Sequence, residues 1–153
     1  MMFEESLKEG GYGEHAIWNL FIKQPWVRSV VDVRDDKEFQ EKDIDFLVED
    51  KNRQFTSIEV KTDFVAHKTG NIVYEVQTGR NVGCFEKTQA KYIMYYIPEN
   101  RVAHMINVVA LRSYLQERRP EEKKMGDNAT GFLLPIAELK DNGVIKRTYE
   151  GVM

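Results

Sequence analysis

Hydrophobic residues recur at every second position along much of this chain, a pattern typical of β-strands. Alternation or short β-branched runs predict six strands, at residues 27–34, 44–50, 55–63, 71–79, 92–97 and 102–106. The strands at 44–50 and 55–63 are separated only by the polar stretch KNRQ, so we expect them to form a hairpin. The charged stretch 35–42 predicts a turn.

Helical periodicity replaces alternation in other segments. Residues 3–23 predict a helical region that is interrupted by GGYG at 10–13 and ended by Pro25. A helix is also predicted at 107–119 and a short one at 85–90, while 118–131 predicts an exposed, mobile polar loop. Residues 132–143 predict a strand and a short helix. This order predicts a mixed α/β domain built around one sheet.

Length and composition favour an ordinary soluble protein. The chain of 153 residues is most simply one domain spanning 1–153, with 42% hydrophobic and 31% charged residues. It has no apolar run of the roughly 20 residues that cross a bilayer and no apolar signal core near its start. Its single cysteine, Cys84, cannot form an internal disulfide, so we expect a cytoplasmic protein.

The net charge narrows the ways in which the chain could bind nucleic acid. A protein that binds DNA through bulk electrostatics is usually basic, whereas this one has a formal charge of −3. Any contact with nucleic acid must therefore use a local cationic patch or metal ions held by clustered carboxylates.

Polar residues two positions apart occur on three of the predicted strands: Asp43 and Asp45, Glu59 and Lys61, Glu75 and Gln77. Positions i and i+2 of a strand point to the same face, so each pair could lie on one surface. If the three strands are neighbours, the pairs form a carboxylate patch beside an ammonium group. Repulsion within such a patch favours a bound cation, and oxygen ligands suit Mg²⁺, with Mn²⁺ as a substitute.

The pattern of an acid, any residue and a lysine is weak evidence when it stands alone. It occurs six times in this chain, and five copies lie in charged turns, polar loops or an amphipathic helix. Only Glu59-Val60-Lys61 follows a β-branched run, with an aspartate one hairpin earlier. That context makes this copy the candidate for chemistry.

Asp45 followed one hairpin later by Glu59-Val60-Lys61 resembles the signature of the PD-(D/E)xK nuclease superfamily. The resemblance covers roughly residues 11–117, and the later part resembles the small phage-type and Holliday-junction-resolvase-like members. Ile44 stands where the motif has proline. The resemblance implies a restriction-endonuclease-like core, with a central mixed β-sheet flanked by helices. It also implies a Mg²⁺-dependent endonuclease that hydrolyses DNA, with branched DNA as one expected substrate.

The resemblance assigns roles to individual residues. Asp45 and Glu59 would ligate the metal, while Lys61 would position the attacking water and stabilise the charge of the transition state. Glu14 resembles an additional acid that many members carry on a preceding helix, which implies a third metal ligand. It lies on the apolar stripe of its own predicted helix. Gln77 could hold a phosphate oxygen or the water.

Several cations lie close in sequence to the predicted site. We expect DNA contacts from four of them, which are Lys68, Arg80, Lys87 and Lys91. Lys87 and Lys91 are one helical turn apart if residues 85–91 are helical, so both could face phosphates.

The resemblance also bears on the oligomeric state. One site of this type cuts one strand and the chain carries no second motif, so we expect a homodimer. The apolar segments 92–97 and 102–115 exceed the needs of one sheet face and predict surface for that partner. Two alternatives stay open, a non-catalytic DNA-binding or assembly module that retains the fold, and an interaction protein whose acidic pairs are surface residues.

Overall fold

The computed structural model describes residues 2–79, 81–125 and 128–153. The helices are α1 (Met2–Ile22), α2 (Lys37–Glu41), α3 (Ala66–Thr69), α4 (Cys84–Lys87), α5 (Val108–Arg118) and α6 (Ile136–Asp141). The first five strands are β1 (Val27–Asp32), β2 (Phe46–Asp50), β3 (Phe55–Thr62), β4 (Asn71–Thr78) and β5 (Asn81–Val82). The remaining strands are β6 (Tyr92–Ile97), β7 (Val102–Asn107), β8 (Lys123–Met125), β9 (Ala129–Pro135) and β10 (Ile145–Tyr149).

The strands form two sheets. The larger has the order β1-β2-β3-β6-β7-β10, in which only β3 and β6 run parallel, and the smaller has the antiparallel order β5-β4-β9-β8. This arrangement confirms the predicted mixed α/β class with a central mixed sheet flanked by helices. The expectation of one sheet was wrong, because β4 leaves the central sheet and pairs with β9.

Each face of the central sheet is covered by a different layer. One face packs against α1, where Ile58 and Met94 of the sheet lie in one core cluster with Phe21 of the helix. The other face, which includes Ile93 and Tyr95, packs against the smaller sheet, α5 and α6. Strand β6 therefore buries side chains on both faces, and its apolar run leaves no spare surface. The prediction that the run at 92–97 provides a partner surface was wrong for this reason.

Helix α1 runs through the GGYG stretch without a break, contrary to the predicted interruption. Gly13 lies against β3, where an added Cβ would stand 1.8 Å from Thr62 Oγ1. The missing side chain thus allows the helix to approach the strand closely. Tertiary packing offsets the low helix propensity of glycine here, a cost of about 1 kcal/mol for each glycine.

Three further segments differ from the sequence prediction. The charged stretch 35–42 contains α2, because Asp36 caps the helix by accepting a hydrogen bond from the Glu38 amide. Part of the predicted polar loop 118–131 forms β8 and the start of β9. The final strand, β10, was not predicted. Among the described residues, no helix is both long and apolar enough to cross a membrane.

Candidate functional site

The hairpin of β2 and β3 brings Asp45 beside the acid–x–lysine triplet. The Asp45 amide donates to the Ile58 carbonyl at 2.8 Å, and Asp45 Oδ2 accepts from the Val60 amide, also at 2.8 Å. Asp45 Oδ1 forms no hydrogen bond with any described residue. One carboxylate oxygen is therefore held by the backbone of β3, and the other is left to bind a ligand.

Glu59 is the least satisfied polar side chain of the site. Its Oε2 atom is buried and has no hydrogen-bond partner within the described part of the chain. Burial, followed by the charges of Asp45 and Asp43, raises the Glu59 pKa to about 9, although Lys61 opposes the shift. Without a bound cation, Glu59 is therefore protonated at neutral pH.

Asp45 shows the same effect to a smaller extent. Burial, followed by the charges of Glu14 and Asp43, raises its pKa to about 6. The hydrogen bond from the Val60 amide and the charge of Arg34 act in the opposite direction. The cluster thus carries more negative charge than its surroundings compensate, and a cation would relieve it.

Lys61 lies two residues beyond Glu59 on the same face of β3. Its ammonium group forms no ion pair or hydrogen bond with a described residue, so it is not a structural partner of Glu59. The side chain lines a cavity of about 750 Å³ together with Asp63, Glu75 and Tyr95. A large molecule could therefore reach Lys61 from this side.

Asp63, which directly follows β3, is one of the residues that line this cavity. Its Oδ1 accepts from the amides of Val65 and Ala66 and so starts α3, while its Oδ2 accepts from the Tyr95 hydroxyl. The same hydroxyl accepts from the Val73 amide of β4 at 3.2 Å. Asp63 and Tyr95 thus join the end of the Lys61 strand to both sheets.

Glu14 lies near the carboxylates but is bound to an arginine that the sequence analysis missed. Its Oε2 lies 2.5 Å from Arg34 Nη1, while Arg34 also binds Asp32 at 2.7 Å. We expected Glu14 to ligate metal, but its carboxylate is already paired. The guanidinium forms several directed hydrogen bonds and so holds both acids. The only sequence signal for Arg34 is its place just after β1, two residues beyond Asp32.

Asp43 supports the cluster from a turn and not from the strand that was predicted. Its φ angle is +52°, in the left-handed region that aspartate tolerates better than most residues. Asp43 Oδ1 lies 3.6 Å from Lys87 Nζ, and the Asp43 carbonyl accepts from the Thr88 hydroxyl. The turn therefore carries Lys87 to the edge of the acidic cluster.

Glu75 and Gln77, the polar pair on β4, line two different cavities. Glu75 lines the cavity beside Lys61. Gln77 lines a different cavity, with Lys124 and Thr130, and its amide donates to the Gly79 carbonyl at 2.8 Å. The expectation that Gln77 shares a patch with Glu59 was wrong, because β4 belongs to the smaller sheet and has a register shift between Glu75 and Gln77.

The three predicted DNA-binding cations that the structure describes lie in different segments of the chain. Lys68 is exposed on α3, and Lys87 ends α4 beside Asp43. Because α4 ends at Lys87, Lys91 is not one helical turn further on, and it lines a cavity beside Ile58. Arg80 lies outside the described residues.

The donor set suits a divalent ion that keeps part of its hydration shell. In residues 2–79, 81–125 and 128–153, no three His, Cys, Asp or Glu side chains are grouped as a metal cage. Mg²⁺, however, is usually held by one or two carboxylates, with waters and substrate phosphates completing its octahedron. Asp45 and the unpartnered oxygen of Glu59 fit that requirement, and Val60, whose amide binds Asp45, directly follows Glu59 in the chain.

Comparison with known proteins gives one structural likeness. No protein-family model and no curated protein matches this chain. Among solved structures, the chain is similar to the bacterial homing endonuclease I-Ssp6803I, with a TM-score of 0.49 and 19% sequence identity over 69% of this chain and 71% of that chain.

Proposed function

We propose that this chain is a metal-dependent DNA endonuclease with a PD-(D/E)xK site. The observation that carries the proposal is the buried, unpartnered carboxylate oxygen of Glu59, which lies beside Asp45 and two residues before the unpaired Lys61. An acidic pair with an unpaired lysine supplies two groups that metal-assisted phosphodiester hydrolysis can use. The acids hold a cation, and the lysine faces the reacting phosphate.

Asp45 and Glu59 would hold the metal, with Mg²⁺ preferred and Mn²⁺ as a substitute. When bound, such an ion supplies Lewis-acid stabilisation of the negative charge on the scissile phosphate. The Val60 amide fixes the Asp45 carboxylate, so that its free oxygen is positioned before the ligand arrives. Glu14 and Arg34 form a charged wall on the α1 side, and Arg34 moderates the repulsion that Asp45 experiences.

Lys61 orients the attacking water and stabilises the extra charge that the phosphate gains in the transition state. In this role Lys61 acts as a positively charged hydrogen-bond donor to the reacting groups. The cavity at Lys61 gives the substrate access. Tyr95 and Asp63 line this cavity and are hydrogen-bonded to each other.

The substrate we propose is DNA, with branched DNA as the finer prediction. Because the chain is acidic overall, phosphate contacts must be local. Lys87 lies at the edge of the cluster beside Asp43, and exposed Lys68 lies on α3, the helix that follows β3. These two cations are the best candidates for backbone contacts.

A homodimer remains part of this proposal on geometric grounds. Asp45, Glu59 and Lys61 provide one proposed site in each chain, and the two strands of a duplex run antiparallel, so a two-fold pair of such sites could cut both. Light scattering of the protein, free and on DNA, tests this point. A single-chain mass in both states, with nicking of one strand only, would contradict it.

The experiment that tests the function is cleavage of a panel of labelled DNAs, comprising single-stranded, linear duplex, flapped and four-way substrates, in Mg²⁺ or Mn²⁺. The wild type and Lys51→Ala, which removes an exposed cation from the β2–β3 turn, should cut alike. Lys61→Ala should cut at least about 100-fold more slowly, because a positioned catalytic group contributes roughly that much or more.

Two outcomes would count against this proposal, the first against the assigned site and the second against endonuclease activity. Equal cleavage by the wild type and Lys61→Ala would remove Lys61 from the mechanism. Metal-independent DNA binding, with no cleavage of any substrate in the panel, would favour the non-catalytic DNA-binding module.

A further inference from the structure

A second cavity lies on the opposite face of β3 from Glu59. It has a volume of about 220 Å³ and is lined partly by Ile58 and Thr56, whose side chains alternate with that of Glu59 along the strand. Its aromatic lining comes from Trp26, Tyr92 and Tyr149. The volume is below the roughly 300–1,000 Å³ of sites for drug-sized ligands, so the cavity suits one small ring system.

Two polar atoms of residues that line this cavity are unsatisfied. Trp26 Nε1 and Tyr149 Oη are buried, and neither has a hydrogen-bond partner in the described part of the chain. Buried polar groups are nearly always paired, so such atoms call for an explanation. The indole N–H can only donate, and the phenol can donate or accept.

Three cations surround the same cavity: Lys91, Lys146 and Arg147. None of them forms an ion pair with a described carboxylate. Neighbouring residues of a strand normally point to opposite faces. Here the register of β10 against β7 shifts between Ile145 and Arg147, and Lys146 and Arg147 line one cavity. A shift of this kind redirects side chains and is common next to functional sites.

We propose that this cavity binds a nucleotide, with its base among the aromatic side chains and its phosphate at the cations. Aromatic side chains stack on bases, and Lys and Arg bind phosphate. Nothing else in the lining is charged, so the site favours an anion. The nucleotide could be a free monophosphate or an unpaired nucleotide of a DNA strand, since both present the same groups. The proposal is independent of metal binding at Asp45 and Glu59.

The fluorescence of Trp26 provides a direct test. The chain has two tryptophans, so Trp18→Phe leaves Trp26 as the only reporter. This protein, also carrying Asp45→Asn and kept in a chelator, would be titrated with deoxyadenosine monophosphate, deoxyadenosine and inorganic phosphate. The monophosphate should give a saturable change, with binding at least about tenfold tighter than that of deoxyadenosine or phosphate, because both halves of the ligand contribute.

Charge variants supply the matched control. Lys146→Ala with Arg147→Ala removes two exposed cations from the cavity and should weaken monophosphate binding about tenfold or more. Lys123→Ala with Lys124→Ala removes two exposed cations from β8 of the smaller sheet and should leave binding unchanged. Circular dichroism would establish that both variants remain folded.

The possible outcomes distinguish a DNA strand from a free nucleotide as the ligand, and some of them would overturn the proposal. Tighter binding of an oligonucleotide with an unpaired end than of the monophosphate supports a DNA strand as the ligand, and the reverse order supports a free nucleotide. No Trp26 response to either ligand would overturn the proposal. So would inorganic phosphate binding as tightly as the monophosphate, or equal weakening by the two double variants. None of these results depends on whether the chain cleaves DNA.

Discussion

On one face of β3, Glu59 has a buried carboxylate oxygen without a hydrogen-bond partner. On the opposite face, the cavity beside Ile58 is lined by Trp26 and Tyr149, and each of these residues has a buried polar atom without a hydrogen-bond partner. The first face surrounds its unsatisfied group with acids, and the second surrounds its groups with cations. The acids on the first face therefore favour a cation as the ligand, and the cations on the second face favour an anion. The charge of the neighbours, and not the unsatisfied atom alone, indicates the ligand.

The largest effect we expect concerns the pH dependence of the metal-free protein. The folded-state pKa of Glu59 is raised to about 9 from an ordinary value of 4.5, so the folded state binds a proton that the unfolded state releases between these values. The contribution of Glu59 to stability is therefore fully present below about pH 4.5 and is lost as pH rises towards 9. The slope for one proton is about 1.4 kcal/mol per pH unit.

Glu59→Gln should flatten that slope, because glutamine does not titrate. Urea unfolding at pH 5, 6, 7 and 8 in a chelator measures the free energy of unfolding directly. Glu99→Gln, which changes an exposed acid in the turn after β6, should keep the wild-type slope. A slope that is the same for Glu59→Gln and for the wild type would show that Glu59 is not the titrating group.

The next effect is stabilisation by metal. Mg²⁺ or Mn²⁺ at about 100 times its Kd should stabilise the wild type by about 2.7 kcal/mol, since the folded state alone has the site. Asp45→Asn and Glu59→Gln should each lose most of this gain, and thermal unfolding with and without metal measures it. Gains of equal size in both variants and the wild type would place the ion elsewhere.

Removing the close approach between α1 and β3 should have a smaller effect. Gly13→Ala places a Cβ against Thr62, so we expect a loss of about 1–3 kcal/mol of stability, as in other overpacked sites. Cleavage should also fall, because Glu14 is the next residue along the helix. Gly11→Ala is the matched control, as its Cβ would meet nothing within 4 Å, and it should stabilise the helix by up to about 1 kcal/mol.

Chemical denaturation separates these two glycine variants. If Gly13→Ala gained as much stability as Gly11→Ala, the contact with Thr62 would not be restrictive. The result would then remove the explanation for the unbroken path of α1.

The smallest effect concerns the hydroxyl of Tyr149. Tyr149→Phe removes a buried hydroxyl without a partner, so the ligand-free protein should be unchanged or more stable by up to about 1 kcal/mol. Tyr96→Phe is the control, because its hydroxyl donates to the Val152 carbonyl at 2.7 Å, and its loss should cost about 0.5–1.5 kcal/mol. A loss in Tyr149→Phe as large as in Tyr96→Phe would mean that the Tyr149 hydroxyl is already satisfied.

The sequence by itself determined the features that depend on neighbouring residues. The hairpin of β2 and β3 followed from alternation on both sides of a short polar turn. The common face of Glu59 and Lys61, with Val60 packed on the other side, followed from the two-residue period of a strand. Asp45, one hairpin earlier, was located by the same local pattern.

Only the tertiary structure decided which distant groups meet. Glu14 forms an ion pair with Arg34, and Gln77 lies with β4 in the smaller sheet. Helix α1 continues through its glycines and packs closely against Thr62 at Gly13. The cationic cavity likewise depends on a register shift between β10 and β7. Such contacts join residues far apart in the chain, and no local period encodes strand order, helix approach or register. The physical reason is that these choices minimise the energy of the whole packed core and not of any single segment.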